Sequence, residues 1–214
     1  MTTIVVHGDD VTPISPELWG VFFEDINHAA DGGLYAELIQ NRSFAYSELD
    51  APGWHSLTAW RTTGDVRLCT DAPLSTTAPV YVRLSGDGSA ARLTNDGFDG
   101  IVVRRDHAYR FSVFVRADSP TVLEVALEAG GGFTSARIAV KGTGEWTRVE
   151  TVLRTPADGS DGSLTITSRG EVVDLDLVSL FPERVFAGDD NGLRPDLAQA
   201  VADLRPRFMR FPGG

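Results

Sequence analysis

The chain has 214 residues, room for one large domain or for a small one with pieces of another. Its 30 acidic against 19 basic residues give a formal net charge of −11, which argues against nucleic acid or an anionic membrane as a partner, because binding phosphate needs concentrated Lys and Arg. Cys69 is the only cysteine, which excludes an intrachain disulfide and a cysteine-based zinc cluster.

No apolar run approaches the length that spans a bilayer. The first residues carry neither a basic segment nor an apolar stretch of secretory type, so the expected location is cytoplasmic. Residues 3–6 and 18–23 read as short strands. The second ends abruptly in Glu24, Asp25, Asn27 and His28, the pattern of a buried strand that delivers polar groups to its C-terminal mouth. In parallel α/β architectures that end is where ligands and chemistry sit. The turn Asp31-Gly32-Gly33 then introduces a helical pattern through Leu34, Leu38 and Ile39.

From residue 48 to 182 the texture changes to short alternating runs separated by Gly, Asp, Ser and Pro. Residues 109–115, 122–127, 146–152, 164–167 and 172–178 are such runs, and their spacing predicts an antiparallel β-sandwich. Asp174 and Asp176 lie two apart and so share a strand face. A solvated face is the first reading of that pair, and a structural Ca²⁺ the weaker one, since two carboxylates alone make a thin calcium signal.

Beyond Pro182, Leu193, Leu197, Val201 and Leu204 mark one face of a helix, with Pro195 and Asp196 in its first turn and Pro206 ending it. Residues 208–211 read as a strand. With the sandwich set aside, strand, helix and strand form a βαβ unit. One such unit cannot bury both faces of its strands, so the chain reads as cut off at Gly214.

The outer motifs resemble the glycoside hydrolase family 51 α-L-arabinofuranosidases. The resemblance runs from Ile14-Ser15-Pro16-Glu17-Leu18-Trp19-Gly20-Val21-Phe22-Phe23-Glu24-Asp25-Ile26-Asn27-His28 on to Phe44. It resumes at Asn191-Gly192-Leu193-Arg194-Pro195-Asp196-Leu197 and at Arg210-Phe211-Pro212-Gly213-Gly214. It covers about a third of the chain. The middle is similar to the galactose-binding-like sandwiches of carbohydrate-binding modules, a more widely shared pattern. The resemblance implies a mostly β fragment: a jelly-roll sandwich (48–182) inserted in the first βαβ unit of a truncated (β/α)8 barrel, flanked by 1–47 and 183–214.

It also implies retaining release of terminal α-L-arabinofuranosyl residues from oligo- and polysaccharides by the whole protein, which is commonly an oligomer in this family. Retention needs two carboxyl groups about 5–5.5 Å apart; in the family both are glutamates on later barrel strands, which places them beyond Gly214, and the chain alone is expected to be inactive. Glu24 matches a glutamate that binds sugar hydroxyls, Arg210 an arginine that orients the nucleophile, and Gly213 and Gly214 a turn at the pocket floor. Asn27 and His28 are candidates for the pocket lining, whereas Asp25 reads as structural. Trp54, Trp60, Phe98 and Trp146 are candidates for stacking on sugar rings, with core packing the stronger reading for Trp146. No cofactor and no metal at the site are expected. A module that only binds carbohydrate, or a spacer that binds nothing, stays open as an alternative.

Overall fold

The computed structural model describes residues 2–8, 11–86, 89–188 and 192–212. Its strands are β1 (Val21–Phe22), β2 (Trp60–Thr63), β3 (Asp65–Cys69), β4 (Tyr81–Ser85), β5 (Ala91–Asn95), β6 (Ile101–Val103) and β7 (Ala108–Arg116). They continue with β8 (Thr121–Ala129), β9 (Gly132–Val140), β10 (Thr147–Arg154), β11 (Gly159–Ser168), β12 (Val173–Pro182) and β13 (Met209–Arg210), and one helix, α1 (Pro195–Asp203), precedes β13.

The middle of the chain is the expected sandwich. One sheet has the order β10-β7-β12-β4-β3, and the other β2-β5-β11-β8-β9, with β6 also on β11. Alternation in the sequence becomes burial here: Tyr109, Phe111, Val113 and Val115 of β7 face Leu123, Val125 and Leu127 of β8 and Leu164 and Ile166 of β11 in one apolar core. Gly100, at a φ of +108°, shows how tightly the loops close: a Cβ there would run into the Ser160 carbonyl oxygen.

The core reaches ahead of residue 48. Ile39 and Phe44 belong to it, and Phe44 packs on Trp60 with ring centroids 5.2 Å apart. The helix expected from Leu34 to Ile39 does not form. Its backbone donors go elsewhere: Ala36 N–H reaches the Gly192 carbonyl (2.7 Å) and Leu38 N–H the Leu180 carbonyl (3.0 Å). The reason is a bulge in β12. Register shifts between Asp176 and Ser179, Leu177 takes a left-handed φ of 49°, and β4 pairs with β12 only as far as Leu175. Residues 37–42 take over the edge that β4 abandons, so tertiary pairing overrides the apolar spacing that looked helical.

The flanking segments meet as a βαβ unit: β1 pairs with β13 in parallel, Val21 opposite Met209 and Phe22 opposite Arg210. Both strands are shorter than expected, and residues 16–18 form a 3₁₀ turn instead. Residues 3–6 form no strand and are exposed. The helix follows its sequence signals, with Pro195 in the first turn and Asp196 clamped by Arg194 at 2.6 and 3.0 Å. Those bonds hold the Asp196 carboxyl down at about 2. Phe22 (63 % exposed) and Phe211 (69 % exposed) leave both faces of the parallel pair open to water.

Candidate functional site

Register decides what the β1–β13 edge presents. Phe22 and Arg210 sit opposite each other in a parallel ladder, and the Arg210 guanidinium lies over the Phe22 ring, 5.4 Å from its centroid. Glu24 is two residues past Phe22, just beyond the end of β1. Phe23 and Phe211 stack on the opposite face at 6.1 Å. The pairing thus aligns Glu24 and Arg210, 186 positions apart in sequence, at one strand end.

The loop after Glu24 is shaped locally. Asp25 accepts a hydrogen bond from Ala30 N–H at 2.9 Å, the structural part expected of it. Asn27 and His28 both take left-handed φ values, 53° and 60°, and both are exposed. His28 leans on the Phe98 ring at 5.0 Å, which ties the loop to the sandwich. Gly213 and Gly214 lie outside the described residues.

The aromatic candidates separate by environment. Trp60 is buried in the core and donates its indole N–H to the Asn41 carbonyl at 3.0 Å. Trp54 stacks flat on Tyr46 at 4.5 Å. Trp146 is not in the core: it is half-buried on the outer face of the five-stranded sheet, edge-on to Tyr81, with Arg116 over its ring at 4.7 Å. A residue that opens an alternating strand can face either side, and the neighbouring arginine holds this one outward.

That outer face carries charges which sequence reasoning placed in solvent. Asp174 is 4 % exposed and Asp176 2 % exposed. Arg83 grips Asp174 at 2.7 and 3.0 Å and Arg116 at 2.6 and 3.0 Å, so both carboxylate oxygens are engaged by guanidinium groups rather than left for an ion. Burial of Tyr81, which donates to Asp71, raises its phenol to about 12. Asp176 accepts a hydrogen bond from Leu177 N–H at 2.7 Å, and burial raises its carboxyl to about 6. Glu37 is fully buried beneath the bulge, accepting from Ser179 Oγ (2.6 Å), Leu180 N–H (2.9 Å) and Ile39 N–H (3.0 Å). Its carboxyl is raised by burial in spite of those bonds and of Arg42 at 3.4 Å. Arg83, Arg116 and Asp174 come from three different strands, and Glu37 and Arg42 from a segment outside the strands, so no local pattern in the sequence marks their meeting.

Past the bulge the same face opens into a groove of about 420 Å³, whose floor includes Arg110, Ser112 and Phe114 of β7 and Ser179 and Phe181 of β12. The groove shares no lining residue with the Glu24–Arg210 edge.

No protein-family model matches the chain. Individual proteins do. The chain is 39 % identical to an extracellular exo-α-L-arabinofuranosidase of Streptomyces chartreusis, over 99 % of this chain and 27 % of that protein. It is 31 % identical to α-L-arabinofuranosidase 1 of Arabidopsis thaliana, over 94 % of this chain and 32 % of the relative. An arabinose-bound family 51 α-L-arabinofuranosidase superposes with a TM-score of 0.77 at 33 % identity, over 92 % of this chain and 34 % of that one. A bacteriophage tailspike enzymatic domain shares the fold alone, at a TM-score of 0.51 and 12 % identity. The chain spans about a third of the length of the curated relatives it matches. The family resemblance carried by residues 14–44 and the C-terminal motifs is upheld.

Proposed function

With homology to the α-L-arabinofuranosidases as premise, we propose that this chain supplies one wall of the sugar pocket of a retaining glycoside hydrolase that removes terminal α-L-arabinofuranosyl residues. The observation that carries the reading is the parallel register of β1 and β13, which pairs Phe22 with Arg210 and so leaves Glu24, two residues on, at the same strand end. A carboxylate at that position accepts several charge-assisted hydrogen bonds from sugar hydroxyls. A permanently charged, planar guanidinium beside it keeps a neighbouring nucleophilic carboxylate ionised and oriented. The loop at Asn27 and His28 follows Glu24 directly and is anchored on Phe98.

Retaining chemistry needs an acid/base and a nucleophile on opposite sides of the scissile bond. The family resemblance puts both on later strands, so the 214 residues by themselves are expected to release no arabinose. In the longer enzyme, Glu24→Ala should lose a charged hydrogen-bond partner for substrate. That costs about 1.5–3 kcal/mol of transition-state binding, or roughly 10- to 100-fold in kcat/KM. The assay is aryl-arabinofuranoside hydrolysis by a variant whose circular dichroism matches the parent. Unchanged kcat/KM in that folded variant would remove Glu24 from the pocket.

A further inference from the structure

We infer that Phe98, on the turn between β5 and β6 of the sandwich, is a positioning residue for Glu24: its ring holds the loop that follows Glu24, so the sandwich sets the affinity of the sugar pocket. The turn that carries the ring is bonded at both ends. Asn95, fully buried, donates from Nδ2 to the carbonyls of Gln40 (3.0 Å) and Ala59 (3.1 Å), and its Oδ1 accepts from Gly97 N–H at 2.8 Å. Gly100 N–H then closes the turn on the Asp96 carbonyl at 2.8 Å. Phe98 stands between these bonds, half-buried.

The ring meets the loop after β1 twice. His28 tilts onto it with centroids 5.0 Å apart, and Gly32 lies so close that a Cβ there would run into the ring. Around these contacts the loop is bonded to itself. Ala29 N–H reaches the Ile26 carbonyl (3.1 Å), Gly33 N–H the Ala30 carbonyl (3.0 Å) and Leu34 N–H the Ala29 carbonyl (2.8 Å). Ala30 N–H reaches the Asp25 carboxylate at 2.9 Å. Glu24 stands at the root of this unit. On one side Phe23 N–H bonds the Arg210 carbonyl (3.0 Å), and on the other Ile26 N–H bonds the Glu24 carbonyl (3.1 Å). Left-handed backbone at Asn27 and His28, side by side, persists only where neighbours over-determine it, and the Phe98 ring is such a neighbour. Without the ring the loop is free to swing about its root and carry the Glu24 carboxylate out of line.

The inference rests on the pocket reading of Glu24, and the two are told apart because loop order is read without substrate. Amide hydrogen exchange on the 214-residue chain and on the longer enzyme compares Phe98→Ala with the parent. Exchange at Ala29, Ala30, Gly33 and Leu34 should speed up by about two- to tenfold, the range one aromatic contact spans, while β7, β8 and β12 keep their protection. In the longer enzyme the KM for an aryl arabinofuranoside should rise about tenfold with kcat nearly unchanged, short of the roughly hundredfold that a misplacement of about 1 Å can cost. A ring that merely stabilised the fold would lower the amount of active protein and leave KM alone. Phe98→Tyr, which keeps the ring, should restore both loop exchange and KM. Phe133→Ala, which removes an exposed ring on β9, should alter neither. Added to Glu24→Ala, Phe98→Ala should cost less than about twofold more, because the group it positions is already gone. Unchanged loop exchange, faster exchange throughout the sandwich, an unchanged KM, or a loss that persists in full on top of Glu24→Ala would each overturn the positioning role. Unchanged kcat/KM in Glu24→Ala with a responsive loop would overturn it from the other side, by striking the pocket reading itself.

Discussion

Asp174→Ala should be among the most damaging single substitutions in the sandwich. Asp174 stands opposite Arg83 of β4 and Arg116 of β7 in the strand register, so one carboxylate joins three neighbouring strands. Removing it leaves two guanidiniums with different degrees of relief. The Arg83 side chain is 33 % exposed and turns partly to water, whereas that of Arg116 is 13 % exposed and packed against Tyr81 and Trp146. Burial works against the Arg116 charge, and the bonds and charge of Asp174 outweigh it, holding its pKa above the ordinary range. Breaking a buried pair by deleting one partner costs about 3–5 kcal/mol. Arg116 keeps the Ala72 carbonyl and the Tyr81 hydroxyl as acceptors, which puts the loss near the lower end, about 3 kcal/mol. For a domain of this size that lowers the melting temperature by roughly 6–12 °C. Urea unfolding followed by tryptophan fluorescence measures the loss directly, and the double variant with Arg116→Met should recover part of it, because the orphaned charge is then gone. A loss below about 1 kcal/mol with an unchanged denaturant slope would refute the reasoning and mark the pair as energetically neutral.

Asp176 should make stability depend on pH in the opposite sense from a salt-bridged carboxylate. Its raised pKa means that the folded state holds the proton more tightly than the unfolded one, so its contribution is complete below about pH 4 and is lost as pH rises through about 6. Asp176→Asn should therefore gain about 1 kcal/mol more at pH 7.5 than at pH 4.5, the two-unit shift being discounted for screening near the groove; an equal effect at both pH values would refute it. Phe44→Ala should cost about 3 kcal/mol in urea unfolding, since Phe44 is fully buried against Trp60. For the same reason a piece starting at residue 48 should unfold at lower urea than one starting at residue 35; equal midpoints would show that Ile39 and Phe44 are dispensable to the core.

Much of this protein was decided by its sequence alone, where the physics is local. Alternation in residues 109–115 and 122–127 can be satisfied only by strands with one buried face, and those runs became β7 and β8. Pro195 and Asp196 specify a helix start, and Leu197 and Val201 one apolar face, wherever that segment is placed. The motif from Gly20 to His28 likewise identified a strand end rich in polar groups, because no packing requirement explains that composition.

Tertiary structure decided whatever depends on which strands become neighbours. Leu34, Leu38 and Ile39 have helical spacing, yet the bulge at Leu177 leaves an open edge on β12, and hydrogen bonds from Leu38 N–H to the Leu180 carbonyl and from Val178 N–H to the Arg42 carbonyl draw the segment onto that edge instead. Asp174 and Asp176 read as solvent-facing because acidic residues on a strand usually are; only the arrival of Arg83, Arg116 and the covering segment at Arg42 turns the same positions into buried ones. The pairing of Phe22 with Arg210, which leaves Glu24 at the same strand end, and that of Asp174 with Arg83 and Arg116, are properties of ladder register, and register is set by pairings between residues far apart in the chain. Composition and periodicity fix what each segment presents. Which presented groups meet is fixed by long-range pairing, and on that meeting the proposed sugar pocket rests.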